Sequence, residues 1–203
     1  MAPWSLAQRL TKRAFDLAAA SVALLLLSPL LLAIGFIVRL SSPGPALFLQ
    51  SRMGRGGRPF RIWKFRTMVC DASRRGPAIT SDGDPRVTRV GRLLRRWKLD
   101  ELPQLVNVVS GDMSLVGPRP EVPKYLPQYL QSDLQVLAVR PGITDPASIQ
   151  FRDEERVLAG FDDPERAYTE LILPRKLALS SEYVRRQSFL GDVKLIFKTL
   201  GRL

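Results

Sequence analysis

Two adjacent carboxylates, Asp100 and Glu101, follow directly on a run of cations: Arg86, Arg89, Arg92, Arg95, Arg96 and Lys98. Acids and bases interleaved this closely suit phosphoryl chemistry. An ionised carboxylate can hold Mg²⁺ or attack an electrophilic phosphorus. The neighbouring cations can hold an anionic diphosphate beside it, bidentately in the case of Arg. If a helix starts near Leu99, both carboxylates fall in its first turn, where the helix dipole and the nearby cations favour their ionised forms. Acidic residues in a first turn also serve simply as capping elements, and spacing alone leaves both roles open. Further along, prolines brace Gly117-Pro118-Arg119-Pro120 on both sides of Arg119. A pinned backbone lowers the entropy lost when the guanidinium binds a phosphate; the alternative is a plain turn with an exposed Arg. Arg52, Lys64 and Arg66 are further candidates for phosphate or lipid headgroups, against the reading of a basic face beside an anionic membrane. Trp63 and Phe65 alternate with Lys64 and Arg66, the period of a strand with one packed face.

Composition narrows the chemistry. The chain has 203 residues, 31 Lys+Arg against 19 Asp+Glu, a formal charge of +12 and no histidine. The surplus calls for a polyanionic partner: nucleic acid, an anionic bilayer or a phosphorylated substrate. Without histidine there is neither a His-ligated metal nor His acid–base catalysis, so an ionisable catalyst must be a carboxylate, Lys, Tyr or Cys70. A lone cysteine forms no intramolecular disulfide, and nothing near it in sequence supplies a base, so Cys70 reads as a packing residue.

The elements that must position these groups begin with an apolar run. Residues 17–38 carry no charge, and their 22 residues make a helix of about 33 Å, close to a hydrocarbon core of about 30 Å. The run is apolar on every face, unlike the helix of a soluble domain. Ser28-Pro29 sits at its centre. Proline lacks the amide proton and disturbs the preceding turn, and the serine hydroxyl can bond a carbonyl freed there. Both flanks are basic, with Arg9, Lys12 and Arg13 before and Arg39, Arg52, Arg55 and Arg58 after, so the charge asymmetry of a simple span is missing. A hairpin returning to the cytoplasmic side satisfies both flanks; a kinked transmembrane helix is the alternative. The run is too long for a signal peptide, and no clear small-x-small cleavage site follows.

After Ser41-Ser42-Pro43-Gly44-Pro45, two short strands, Leu47-Phe48-Leu49-Gln50-Ser51 and Phe60-Arg61-Ile62-Trp63-Lys64-Phe65, are joined by a glycine-rich turn and predict a β-hairpin. Residues 71–85 read as a loop. Thr88 is placed to cap a basic helix ending near Trp97. A second helix is predicted over 99–109, with Pro103 in its first turn. Further helices are expected near 121–137 and 164–186, and an amphipathic one over 189–200. The fold class is mainly α with a small β-hairpin. A membrane element at 1–42 leads into a catalytic unit at 43–203.

Several short motifs occur in a telling order: Lys12-Arg13-Ala14-Phe15-Asp16, Ser28-Pro29, Gln50-Ser51-Arg52-Met53-Gly54, Lys64-Phe65-Arg66-Thr67-Met68, Asp84-Pro85-Arg86-Val87-Thr88, Leu99-Asp100-Glu101-Leu102-Pro103-Gln104-Leu105, Asn107-Val108 and Val116-Gly117-Pro118-Arg119-Pro120-Glu121. Together they closely resemble the monotopic phosphoglycosyl transferases, bacterial sugar transferases of the undecaprenyl-phosphate pathway. The resemblance covers about residues 10–145. It implies a re-entrant helix–break–helix at Ser28-Pro29, packed on a compact catalytic domain at the cytoplasmic face of the inner membrane. It also implies an Asp100-Glu101 dyad, dependence on Mg²⁺, and a covalent sugar-phosphate intermediate on the aspartate. Arg119 would be a phosphate or nucleotide contact, with Arg95, Lys64, Arg66 and Arg86 as further substrate-binding candidates. Many members read Pro-Gly-Ile-Thr-Gly followed by an aromatic residue; this chain reads Pro141-Gly142-Ile143-Thr144-Asp145-Pro146, which leaves the sugar open. Lacking the multi-span N-terminal region of larger relatives, the chain would be a minimal catalytic core.

The expected reaction transfers a sugar phosphate from a nucleotide sugar, UDP-linked, to a polyprenyl phosphate. Asp100 attacks the phosphorus and Glu101 either holds the metal or accepts a proton. Membrane lipids are expected partners. The apolar helical halves could hide a homodimer interface as easily as a lipid contact. A membrane-anchored nucleic-acid-binding protein is disfavoured, because no helix-turn-helix, zinc or RNA-binding aromatic pattern is present and an acidic pair interrupts the basic run. A structural subunit recruiting a partner would leave Asp100 and Glu101 free to vary.

Overall fold

The structure is a computed structural model in which residues 4–76 and 79–202 are described. Positions 77 and 78 of the predicted 71–85 loop therefore lie outside the described residues.

The apolar run lies within one long helix, α1 (Leu6–Ser41), opened by a capping box in which Ser5 and Gln8 bond each other's backbone amides. The break expected at Ser28-Pro29 does not divide it, and helical structure runs on through Pro29. The local chemistry explains this. Pro29 cannot donate to the Leu25 carbonyl four residues back, and Ser28 Oγ donates to that carbonyl instead, at 2.8 Å. α1 is long and apolar enough to cross a membrane, yet both its halves dock on the rest of the chain. Ala20 packs with Ile62, Leu105, Val108 and Met113, while Ile34 and Val38 pack with Phe65 and Leu94. The opposite face leaves Leu25 and Leu26 75% and 72% exposed.

The predicted hairpin is present as β1 (Leu47–Met53) and β2 (Pro59–Phe65), antiparallel, with Leu47 opposite Phe65 and Met53 opposite Pro59. The predicted loop contains a single turn of helix, α2 (Ala72–Arg75). α3 (Arg89–Arg96) starts where Thr88 Oγ1 accepts from the Gly91 amide. Gly91 is needed for packing, because a Cβ there would collide with the Thr67 carbonyl.

The helix expected over 99–109 is split. Leu99–Glu101 form a 3₁₀ turn, and α4 (Gln104–Ser110) starts only after Pro103. The carboxylates thus lie before the α-helix rather than in its first turn. β3 (Ser114–Val116) pairs in parallel with β4 (Gly142–Thr144), a sheet the sequence reading missed. Gly117 and Gly142 approach so closely that a Cβ on either would strike the other segment's backbone.

The helix expected over 121–137 is instead two 3₁₀ segments, Pro123–Gln128 and Asp133–Ala138. Pro127 supplies no amide to an α-helical ladder in the first. Short helices α5 (Pro146–Gln150) and α6 (Glu154–Leu158) follow. The helix expected over 164–186 is realised as α7 (Pro164–Ala167), a π turn at Tyr168–Ile172 and α8 (Leu173–Arg186). The wide turn accommodates Pro174, whose ring would crowd the Glu170 carbonyl in a regular helix. α9 (Phe189–Leu200) matches the predicted amphipathic helix. The C-terminal core gathers Tyr125, Leu158, Tyr168, Leu173 and Leu177.

Candidate active site

The site is built on the reversal between α3 and α4. Lys98 has φ 53, the one positive φ outside glycine among the described residues. A left-handed residue at that point is costly for a side chain, and it turns the chain so that Asp100 and Glu101 occupy the following 3₁₀ turn. Glu101 is bound on both oxygens. Arg119 Nη1 donates to Oε2 at 3.1 Å, Arg119 Nη2 donates to Oε1, and Lys64 Nζ donates to Oε1 at 2.8 Å. Asp100 is 8% exposed, and its Oδ1 is buried with no hydrogen-bond partner. A second orphaned atom, Gln104 Nε2, lies in the same short stretch.

The two carboxyls differ in charge state for reasons of place. Burial pushes Glu101 up, but Arg119 and Lys64 together outweigh it and hold the group well below the usual carboxylate range. Asp100 departs from the expectation that both are acidified. Burial and then the Glu101 charge raise it, against the opposing pull of Lys64, Arg95 and Lys98. Lys64 is lowered by burial despite Glu101, and Arg119 is raised by Glu101. Glu155, absent from the sequence reading, is also raised, by burial first, with Asp100 among its neighbours. Arg95 links it to the site, its Nη1 donating to Glu155 Oε1 at 3.0 Å and its Nε to Thr67 Oγ1 at 2.9 Å.

Lys64 and Arg119 therefore bond Glu101 and Arg95 acts on Asp100 through its charge, whereas two other candidates serve different ends. Arg66 is buried and donates to the carbonyls of Pro43, Val38 at 3.3 Å and Ser42 at 2.7 Å, closing the C-terminus of α1. Arg86, also buried, forks onto Asp84 at 2.7 and 3.0 Å and donates to the Ala72 carbonyl at 3.2 Å, organising the polar loop. Ser28 and Pro29 lie within α1.

The family model for bacterial sugar transferases matches residues 7–203. The chain belongs to that family. The UDP-glucose:undecaprenyl-phosphate glucose-1-phosphate transferase of Escherichia coli (strain K12) is 40% identical over 202 residues, 98% of this chain and 41% of that protein. The UDP-N-acetylgalactosamine-undecaprenyl-phosphate N-acetylgalactosaminephosphotransferase of Aeromonas hydrophila is 41% identical over 192 residues, 93% of this chain and 42% of that protein. The exopolysaccharide production protein PSS of Rhizobium leguminosarum bv. phaseoli is 39% identical over 203 residues, covering 93% of this chain and 92% of that protein. The chain thus spans about two fifths of the length of the first two relatives.

In this member of the family, further polar residues support the site: residue type alone did not reveal Asn107 or Glu121, and Arg52, a candidate phosphate contact, anchors the backbone. Asn107 plugs the hairpin edge, accepting from the Trp63 amide at 2.9 Å and donating to the Arg61 carbonyl at 2.8 Å. That fixes β2, and with it Lys64, against α4. Beyond Arg119, Glu121 accepts from Tyr168 OH at 2.7 Å and lies 3.7 Å from Lys176 Nζ, while Arg52 donates to the Pro120 carbonyl at 3.1 Å. These contacts hold the proline-braced segment from both ends. Asp145, where the family motif has glycine, is 0% exposed and caps α5, accepting from the Ser148 amide and from Ser180 Oγ. The departure serves the fold.

Proposed function

We propose that this protein transfers a sugar phosphate from a nucleotide diphosphate sugar, UDP-linked, to undecaprenyl phosphate, starting polysaccharide assembly, with the sugar phosphate carried on Asp100 between two half-reactions. One observation carries this reading. Glu101 is bound on both oxygens by Arg119 and Lys64, whereas Asp100 keeps a buried oxygen without a partner. Buried polar atoms are normally satisfied, so an open carboxylate oxygen beside Lys64, Arg95 and Lys98 suits a reacting group from outside the chain. The names of the relatives supply the substrates that fit such a site, a nucleotide sugar and undecaprenyl phosphate. Those names differ in the sugar, so the sugar is left unassigned.

Asp100 attacks the phosphorus that bears the sugar. The bond to the nucleoside monophosphate breaks, that group leaves with the electron pair, and an acyl phosphate forms on Asp100. An oxygen of undecaprenyl phosphate then attacks the same phosphorus and frees the carboxylate. Arg119 and Lys64 stabilise the charge that develops on the phosphoryl oxygens. Glu101 acts as a positioning residue, because both of its oxygens are engaged in fixing the two cations. The orphaned Asp100 Oδ1 fits Mg²⁺, which one or two carboxylates plus substrate phosphates commonly hold. Bound there, Mg²⁺ would neutralise the diphosphate. Glu101 Oε2, which accepts a single bond, is the oxygen that would share the metal.

Topology follows the same logic. Lys12 and Arg13 on the first half of α1 bond Asp192 and the Val108 carbonyl, and Val38 on the second half accepts from Arg66. Both ends of the apolar helix are tied to one polar domain. A monotopic protein at the cytoplasmic face, with the leucines around Ser28 entering one leaflet, satisfies every such contact and leaves the dyad level with a lipid-borne phosphate.

Incubation with donor alone tests the proposal. Nucleoside monophosphate is released and the protein gains the mass of one sugar phosphate at Asp100; Asp100→Asn does neither. Normal turnover by Asp100→Asn would overturn the assignment. A panel of nucleotide sugars then reads the specificity from which one yields monophosphate.

A further inference from the structure

A cavity of about 100 Å³ opens beside the first half of α1, bounded also by the hairpin turn, the segment entering β4 and the end of α8. That is several times the ~10–15 Å³ that one water needs on the same measure. None of Lys64, Arg95, Asp100, Glu101 and Arg119 lines it. Its charged lining is lopsided: Arg9, Lys12, Arg13, Arg55 and Arg140 against the single carboxylate of Asp16.

Two of those cations and the carboxylate are already committed. Lys12 pairs with Asp192 at 2.5 Å, and Arg13 donates both terminal nitrogens to the carbonyls of Val108 and Val109. Asp16 accepts from Ser114 Oγ at 2.7 Å and from the Leu115 amide at 3.3 Å. The other three arginines are held by Nε alone. Arg9 donates to the Trp4 carbonyl at 2.9 Å, Arg55 to the Ala138 carbonyl at 3.2 Å and Arg140 to the Gly111 carbonyl at 2.8 Å. Their terminal nitrogens have no partner among the described residues. Anchoring at Nε orients a guanidinium while leaving its other donors available, the preorganised fork that suits phosphate.

The cations are also close enough to strain one another. Burial lowers Arg140, and the charges of Arg13 and Arg55 lower it further. An anion between them would relieve that repulsion. The cavity adjoins the half of α1 whose Leu6 and Leu10 are exposed, so apolar surface lies beside it.

We infer that Arg9, Arg55 and Arg140 form a second phosphate-binding site, separate from the dyad, that takes a phosphate ester at the membrane boundary. The shared chemistry is a phosphate oxygen cluster, supplied either by the headgroup of an anionic lipid or by soluble phosphate. The inference does not depend on the reaction proposed above, because its test reads binding rather than turnover.

The purified full chain in a neutral detergent is titrated with dihexanoyl phosphatidylglycerol, with dihexanoylglycerol as the phosphate-free control, and separately with inorganic phosphate. Thermal unfolding is followed in each series. A saturable rise in Tm with the phospholipid but not its phosphate-free counterpart identifies a lipid source. The same rise with inorganic phosphate identifies a soluble one. Arg55→Gln and Arg140→Gln, made separately so that one folding failure does not decide the matter, each weaken the response at least about tenfold, the scale of one charge-assisted bond. Arg58→Gln, in the same hairpin turn but outside the cavity lining, leaves it intact. No response from the native chain to either phosphate, or an undiminished response in both folded variants, overturns the site.

Discussion

Arg119 holds both carboxylate oxygens of Glu101, and so ties the proline-braced segment after β3 to the turn that carries Asp100. The fork spans 18 residues of sequence and meets Lys64 on a shared oxygen, Glu101 Oε1. Since β3 pairs with β4, the position of Arg119 also depends on the close approach of Gly117 and Gly142. The dyad is therefore fixed by the parallel sheet as well as by its own turn.

Replacing Arg119 with Lys keeps the charge and removes the fork. One charge-assisted bond is lost, about 1.5–3 kcal/mol, so kcat/KM should fall roughly 10- to 150-fold at about 1.4 kcal/mol per tenfold. The donor-only release of nucleoside monophosphate should slow in parallel, because Arg119 acts before the acceptor arrives. Steady-state and single-turnover assays on Arg119→Lys check this. An unchanged first half-reaction would remove Arg119 from the chemistry.

The Ser28-Pro29 pair should control how α1 sits in the bilayer. Ser28→Ala/Pro29→Ala restores an amide donor to the Leu25 carbonyl and completes a regular helix, which favours a straight span. A fraction of N-termini should then reach the far side of the membrane, and activity should drop with that fraction as the Lys12–Asp192 and Arg13–Val108 contacts are lost. Labelling an N-terminal cysteine with an impermeant maleimide, in a Cys70→Ala background, measures it. Unchanged labelling means the pair does not set topology.

Periodic, locally capped elements were legible in the sequence: the β1–β2 hairpin, α3 behind Thr88, and α9. β3 and β4 were not, because three-residue strands show no alternation and pair across a gap that only the fold closes. The split of the 99–109 helix turned on the left-handed Lys98, a conformation that a lysine does not announce. The dyad with Lys64, Arg95 and Arg119 was found from residue type, order and family resemblance. Arg66 and Arg86 look the same in sequence as those three. Their partners are backbone carbonyls and Asp84, targets set by tertiary placement.

The Asp84–Arg86 pair should make the polar loop acid-sensitive. The Arg86 hydrogen bonds hold Asp84 below its ordinary 3.8. A depressed carboxylate stabilises the folded loop fully above the unfolded value and loses that contribution as pH falls through the folded one. Hydrogen exchange over residues 71–87 should therefore accelerate as the pH falls below about 4, beyond the intrinsic change. Asp84→Asn should exchange fast throughout that range. A loop whose protection in the native chain ignores acid would count against the pair.

Asp145 offers the sharpest separation of fold from specificity. It stands where the family motif has glycine and is fully buried, and its carboxylate accepts from the Ser148 amide at 2.7 Å, Ser148 Oγ at 2.6 Å and Ser180 Oγ at 2.8 Å. Asp145→Gly removes the cap and leaves the Ser180 hydroxyl without that acceptor, a cost of about 1–3 kcal/mol. Each 1 kcal/mol lowers Tm by about 2–4 °C in a chain of this size. The donor preference should not move, since the carboxylate faces α5 and α8 rather than the dyad. Thermal unfolding read beside a nucleotide-sugar panel separates the two effects. A switched donor preference at unchanged Tm would make Asp145 a sugar contact and its burial incidental.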